Sequence, residues 1–536
     1  MMRQPESPRW MVYGLAAFSG LLLTLSFPRF DWAPLAWFAL VPLFFAIHGQ
    51  TPARAARAGL MTGGVFYLLS LKWVIRTLVD YGGIPPGLSW LILGLLAGYL
   101  SLYLGLFAYL MVRLGRGNPV FSFFLAPLLW TGLEYLRSIH AIYGFSWQGL
   151  GYSQYSQLPF IQIAEITGVY GVSALIVLVN AGLYSISHPA FSSPQYRSRW
   201  RWPVAWITVA VLAGAWGYGQ VRINGLAPDG PGLKVALIQG NIPQHLKWDP
   251  AYRAEVLKRY SSLTARAAKQ NPQLIVWPEA VTPFYFENDA AGGRAVKQVA
   301  QSHHIPLLFG SPYLAPPPEA EPGPGGAVLP ARLFNSAYYL DSGGRVRGRY
   351  DKIHLVPFGE FVPLRSLLFF VDKLVVGMAD FSRGDSYDVF DLDGVRFGVS
   401  ICFEITLPDL VRRPVKAGAQ FLVNITNDAW FGKSAASYQH ISMAALRAVE
   451  NRVPIVRAAN TGITGFISRR GEIRQASELF TEAVVVGDIF PASGERTFYS
   501  LYGDVFSWLC LSLTVILGFL ARLSHPASVM PSHIPL

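Results

Sequence analysis

Three short stretches of the 536-residue chain carry side chains that could do chemistry. Trp277-Pro278-Glu279-Ala280 ends an apolar run on a carboxylate. Tyr350-Asp351-Lys352-Ile353-His354-Leu355-Val356-Pro357-Phe358-Gly359-Glu360 holds a lysine, a histidine and two acids around a Pro-Phe-Gly turn. Gly398-Val399-Ser400-Ile401-Cys402-Phe403-Glu404 again runs from an apolar strand into a polar turn. Strand ends are where α/β folds place reactive groups. The chain has 2 cysteines, and Cys510 lies in an apolar run near the C-terminus, so Cys402 has no disulfide partner. A lone thiol is either a small buried hydrophobe or, as its thiolate, a nucleophile. No His pair or Cys cluster has metal-ligand spacing and no Gly-rich phosphate loop is present, so no metal or cofactor is expected.

The elements that must position these residues read as an α/β layered domain. Strands are predicted at 233–242, 273–277, 306–309, 336–340, 421–425, 455–458 and 466–468. A hairpin over 389–400 turns at Asp393-Gly394, and helices are predicted at 252–270, 293–303, 408–417 and 438–451. Strands alternating with helices argue for this class. The Pro-, Gly- and Glu-rich run 315–331 reads as a surface insertion.

Composition demands a second kind of structure. Hydrophobic residues make up 52% and charged residues only 14% of the chain, against roughly 25% charged in a soluble domain. Apolar runs of spanning length recur at 10–27, 33–49, 59–79, 88–114, 119–136, 161–186, 203–219 and 505–523, which predicts a membrane α-helical bundle of about eight spans. The first is not a cleaved signal peptide, because no small-residue cleavage site follows it before the next run. Alternate connections hold ten arginines (Arg3, Arg9, Arg54, Arg57, Arg113, Arg116, Arg197, Arg199, Arg201, Arg522), whereas the opposite ones hold four basic residues, Arg29, Lys72, Arg76 and Arg137. The positive-inside rule then places both termini in the cytoplasm and the long segment after the seventh run outside. It also accounts for the net charge of +12 without any nucleic acid. The organisation expected is a membrane domain at 1–219, a linker at 220–232, an external catalytic domain at 233–490, a linker at 491–504, a span at 505–523 and a cytoplasmic tail at 524–536. Glu134 and Glu165 fall in or beside spans, where a carboxylate is either functional or hydrogen-bonded at the water boundary to a neighbouring helix.

Glu279, Lys352 and Cys402, 73 and then 50 residues apart, resemble the Glu-Lys-Cys triad of the nitrilase (carbon–nitrogen hydrolase) superfamily. With spans before and behind, the whole chain resembles the apolipoprotein N-acyltransferase family, integral membrane enzymes of Gram-negative bacteria. The resemblance implies an external αββα sandwich carrying the triad, with Glu360, Glu404 and Trp248 as supporting residues; Phe403 stands where the family often has Tyr. Asn424–Gly432 resembles the family's stretch beside the active site, and Arg447, Glu450, Arg452 and Arg457 fall where such domains carry a charged lattice. In such a triad Glu279 takes the thiol proton and the Lys352 ammonium stabilises thiolate and oxyanion. The implied reaction moves an acyl chain from a phospholipid through a Cys402 thioester to the α-amino group of a diacylglyceryl-cysteine at an apolipoprotein N-terminus, in the inner membrane and by a monomer.

Two other readings remain at this level. A membrane-tethered nitrilase-like amidase would hydrolyse the same thioester, because water and an amine attack one intermediate. A transporter with a vestigial domain is disfavoured by the intact triad and by spans without an obvious internal repeat. Gly144–Gln148 and Tyr152–Gln154 are expected in an external loop that could line a substrate mouth. The segment 361–376 reads FVPLRSLLFFVDKLVV; its mixture of apolar run and charges suits an interfacial arm, with Phe369 and Phe370 guiding a lipid tail.

Overall fold

The computed structural model describes residues 8–115, 119–139, 144–187, 200–226, 232–247, 249–316, 331–357, 359–361, 380–494 and 496–523. Trp248, Phe369 and Phe370 lie outside these residues, as do nearly all of the 315–331 insertion and of the apolar segment 361–376.

The first part of the chain is helical. Pro86–Gly115, Val169–Ser187 and Arg201–Gly225 are long and apolar enough to cross a membrane. Pro52–Ser70 with Trp73–Tyr81 makes a fourth candidate, bent by 48°. Further apolar helices are Arg9–Leu25, Pro119–Ile139 and Val505–Leu523. Arg201–Gly225 leaves Trp202, Trp206, Val209 and Val221 exposed, an apolar face that requires apolar surroundings. Elsewhere helices close on small residues: a Cβ at Gly63 would meet Ser101 on Pro86–Gly115.

Three expected spans are interrupted. The run 33–49 is a 3-10 turn, Ala33–Trp37, followed by the short helix Val41–Ile47. The run 59–79 breaks after Ser70, and 161–186 divides into Leu158–Ile161, Ala164–Thr167 and Val169–Ser187. In that last break Gly168 has a φ of 65°, and Gln162 and Glu165 both bond Arg452 of the α/β domain. The helix expected to end at 219 continues to Gly225, and the second expected linker contains the short helix Phe498–Tyr502.

The α/β part contains two six-stranded sheets. The first holds β1 (Leu233–Gln239), β2 (Leu274–Val276), β3 (Leu307–Ala315), β4 (Arg332–Leu340), β5 (Val346–Asp351) and β12 (Ala483–Ile489), in the order β12-β1-β2-β3-β4-β5. The second holds β6 (Val389–Leu392), β7 (Val395–Ile401), β8 (Phe421–Thr426), β9 (Ile455–Ala459), β10 (Gly465–Ile467) and β11 (Ile473–Arg474), in the order β11-β10-β9-β8-β7-β6. Side chains alternate along a strand, so each sheet has two apolar faces to cover. Val235, Leu237 and Val276 of the first sheet share one core with Val399, Val423 and Val456 of the second. Ala236, Ile238 and Ile275 face the helices Arg253–Ala268 and Ala290–His303, through Tyr260, Leu263 and Val296. Leu422 and Ile455 face Pro408–Lys416 and Ala435–Asn451. The result is an αββα sandwich. The hairpin turns at Asp393-Gly394, both with positive φ, the geometry whose twist suits a two-residue connection.

Candidate active site

Glu279, Lys352 and Cys402 stand just past the C-terminal ends of β2, β5 and β7, two on one sheet and one on the other. Each is held by its neighbours. Past β2, Trp277 is buried against Tyr260 and donates to Thr264 Oγ1 at 2.9 Å. The chain then crosses Gly310 of β3, whose N–H donates to Pro278 O at 3.0 Å and whose carbonyl accepts from Val281 N at 2.8 Å. Any Cβ at Gly310 would collide with the backbone of Glu279 and Ala280. That glycine sets how closely the carboxylate is presented.

The Glu279 carboxylate accepts from Asn335 Nδ2 at 2.7 Å and from the Asn427 backbone N–H at 2.8 Å. Asn427 follows β8, the parallel neighbour of β7, so this bond reaches across to the sheet that carries Cys402. Lys352 is 1% exposed. Its Nζ lies 2.9 Å from both Glu360 oxygens and 3.6 Å from Glu279 Oε1. Burial opposes its charge, yet Glu360 and Glu279 override burial and hold the ammonium above its ordinary value. Glu360 is itself fixed by Asn335 Nδ2 at 2.8 Å and Val356 N at 2.9 Å.

Cys402 follows β7 and opens a 3-10 turn in the left-handed region, φ 56°, and is half-buried. Burial pushes its thiol up to about 12; Glu279 adds to this and Lys352 pulls the other way. A resting thiol is therefore protonated, and reaction requires a base to remove the proton. The Cys402 carbonyl is 3.2 Å from His440 Nε2, and His440 Nδ1 is 3.1 Å from Asp428 Oδ1. Asp428 in turn pairs with Arg457 at 2.9 Å, which anchors the turn from below.

Glu404 is fully buried. It accepts from Tyr350 OH, Ile353 N, His354 N and Ile401 N at 2.8–3.0 Å, so it ties the Lys352 segment to the Cys402 turn. Burial raises its carboxyl to about 6 despite those donors. Both of its carboxylate oxygens are engaged in these bonds.

Sequence reasoning passed over Lys247, which is 2% exposed and donates to the Glu279 backbone carbonyl at 2.9 Å. Burial pulls its ammonium down to about 8, against the opposing pull of Glu279 and Cys402. The only signal was a lysine beside Trp248, with nothing to say that it turned inward.

Helix-domain loops close over this site. Trp147 lies against Phe403, ring centroids 6.0 Å apart at 14°, and Ser146 Oγ is 3.1 Å from Thr406 Oγ1. Gln439 gathers three of these loops: it accepts from Trp73 and Trp147 Nε1 and donates to the carbonyls of Pro28 and Ser70. Arg447 donates to Tyr152 OH at 3.1 Å and Glu450 Oε1 at 2.7 Å. Glu165 bonds Arg222, Tyr218 and Arg452, and Glu134 accepts from Trp130 Nε1, Leu150 N and Ser173 Oγ.

An acid, a cation and a cysteine thus stand at the strand ends of an αββα sandwich. The Carbon-nitrogen hydrolase family model matches residues 234–497, and the Apolipoprotein N-acyltransferase N-terminal domain model matches 19–182. An apolipoprotein N-acyltransferase of Geobacter metallireducens is 44% identical over 95% of each chain. One from Photobacterium profundum is 31% identical over 94% of each. The chain belongs to the apolipoprotein N-acyltransferase family. Among solved structures, an amidase from Nesterenkonia sp. aligns with a TM-score of 0.37 at 21% identity, over 51% of this chain and 95% of the amidase.

Proposed function

We propose that this protein N-acylates apolipoproteins. An acyl chain moves from a phospholipid to Cys402 and then to the α-amino group of an N-terminal diacylglyceryl-cysteine, the last step of bacterial lipoprotein maturation. The observation that carries the reading is the meeting of Glu279, Lys352 and Glu360 beside Cys402, under a roof formed by the helix-domain residue Trp147.

In the first half-reaction Glu279 takes the Cys402 proton and the sulfur attacks the ester carbonyl. Lys352 stabilises the oxyanion, and the lyso-phospholipid alkoxide leaves with the proton held by Glu279. In the second, the amine attacks the thioester, loses its proton to Glu279, and thiolate is expelled. Glu360 orients Lys352, while Glu404 holds the two segments in register. Trp248 is assigned a supporting role, and Phe369 and Phe370 an arm that guides the lipid tail.

Both substrates are held by acyl chains, so the site must lie beside a membrane. We place the chain in the inner membrane as a monomer with about eight spans, at 1–219 and 505–523, cytoplasmic termini and a periplasmic catalytic domain at 233–490. The arginine-poor connections support this orientation: Lys72 and Arg76 flank Trp73, which bonds Gln439, and Arg29 follows Pro28, which does the same. Purified protein given labelled phospholipid and a diacylated lipopeptide should deliver label to the lipopeptide amine. Label appearing only as free fatty acid would favour the hydrolytic amidase.

A further inference from the structure

The helical domain buries a charge that its own residues leave without a hydrogen-bonded counter-ion. Arg137 lies in the last turn of the helix Pro119–Ile139 and is 2% exposed. Its NH1 group donates to Tyr67 OH at 2.7 Å, while Nε and the other terminal nitrogen have no hydrogen-bond partner. Glu134, one turn earlier in the same helix, spends its oxygens on Trp130 Nε1, Leu150 N and Ser173 Oγ. A guanidinium does not shed its proton, so this charge persists. Left unpaired away from water it is costly, and a trapped water would fill its N–H groups without neutralising it.

A second unpartnered group shares the same space. Gln148 is 4% exposed, and neither the oxygen nor the nitrogen of its carboxamide has a partner. Arg137 and Gln148 line one cavity, walled by the helices Pro52–Ser70, Pro86–Gly115 and Pro119–Ile139. The remaining lining is mostly apolar and includes Leu23, Phe66, Leu104, Phe107 and Leu133. The cavity lies at the end of the helical domain that meets the α/β domain. Gln148 follows Trp147, whose ring lies against Phe403, and Ser146 is 3.1 Å from Thr406.

The chemistry of this lining selects its ligand. A planar guanidinium fork with a carboxamide donor beside it suits two oxygens of one anion. The apolar walls suit hydrocarbon. A phosphodiester carrying acyl chains satisfies both demands, and it stays ionised at a membrane surface, as a permanently charged partner requires. We propose that Arg137 and Gln148 form a phosphate-binding subsite that holds the phosphodiester of a membrane phospholipid. This rests on the acyl-transfer reading for one point, that the lipid held here is the donor.

The test uses full-length Cys402→Ala protein in detergent, which binds lipid without turnover, titrated with lipid and read by native mass spectrometry. Dioleoylphosphatidylethanolamine should be retained in preference to dioleoylglycerol, oleate and inorganic phosphate. Arg137→Met removes the charge, and Gln148→Glu places a carboxylate beside it. Each should weaken phospholipid retention about tenfold, the size of one lost charge-assisted hydrogen bond. In lipid-free protein Gln148→Glu should raise the melting temperature, because it supplies the missing partner; a merely structural glutamine would not give that gain. Phospholipid retention unchanged in both variants would overturn the proposal. Equal retention of oleate or inorganic phosphate would overturn the phospholipid assignment. Retention that depends on Arg137, in a protein whose wild-type form gains no thioester from phospholipid, would leave this subsite standing and count against the acyltransferase reading instead.

Discussion

Trp147, from a loop of the helical domain, lies parallel to Phe403, the residue following the cysteine, with ring centroids 6.0 Å apart. Trp147 is 1% exposed and its Nε1 donates to Gln439 at 2.8 Å. The two halves of the chain therefore share a packed core beside Cys402. Trp147→Ala should cost about 3–5 kcal/mol of stability and depress acyl transfer. Trp147→Phe should retain the stacking and lose only the hydrogen bond. Thermal unfolding in detergent with parallel lipopeptide assays checks this; equal effects of both substitutions would argue against stacking as the source.

Cys402→Ala and Cys402→Ser should abolish transfer while leaving the fold intact. Wild-type protein given phospholipid alone should gain one acyl mass that hydroxylamine removes, and steady-state kinetics should be ping-pong. Mass spectrometry and double-reciprocal plots read both. Intersecting lines would point to direct transfer in a ternary complex.

Glu279→Gln should fail to form that adduct, because a thiol pushed up to about 12 cannot lose its proton unaided. Lys352→Ala should fail as well, and Lys352→Arg should recover little, since a planar fork does not replace a compact ammonium held between two carboxylates. Gly310→Ala should mimic a weakened Glu279 by displacing its backbone. Single-turnover acylation rates test all four; a Glu279→Gln protein that acylates normally but stalls afterwards would reassign the base.

Glu404 should mark the stability profile. Its folded carboxyl, near 6, binds a proton more readily than the ordinary group at 4.5. This group therefore favours the folded state below about pH 4.5, and that contribution is lost as pH rises through 6. Glu404→Gln should remove this dependence, yet destabilise at every pH by about 1–3 kcal/mol for each donor left unpaired. Denaturant melts at pH 4, 5, 6 and 7 would show a flattened profile; an unchanged slope would assign the dependence to other groups.

Orientation is tested at Ser342, exposed in the turn between β4 and β5. Ser342→Cys, in protein lacking both native thiols, should react with an impermeant maleimide in cells whose outer membrane alone has been opened. Reaction only after the inner membrane is lysed would reverse the topology inferred from the arginines.

Much of the α/β grammar was legible because strand and helix periodicities are local. The helix at Arg253–Ala268 and the hairpin at Asp393-Gly394 follow from patterns within a few residues. The edge strand β5 was not, because Val346-Arg347-Gly348-Arg349 is polar and becomes a strand only by pairing with β4. Likewise β12 pairs antiparallel with β1, from the opposite end of the domain. Hydropathy located apolar runs but not their breaks, since it averages side chains and is blind to backbone direction. At the break around Gly168, where φ is 65°, Glu165 and Gln162 bond Arg452 of the α/β domain.

By itself the sequence determined a membrane-associated chain with an α/β layered domain; it placed Glu279 and Cys402 at strand ends and singled out Lys352 between them, because residue type and order carry that information directly. Only the tertiary structure decided that Glu404 is a fully bonded structural acid, that Trp147 roofs the cysteine turn, and that Lys247 turns inward beneath Glu279. Burial and charge coupling are properties of the folded surroundings. A lysine in a polar turn looks the same in sequence whether it meets water or a carboxylate.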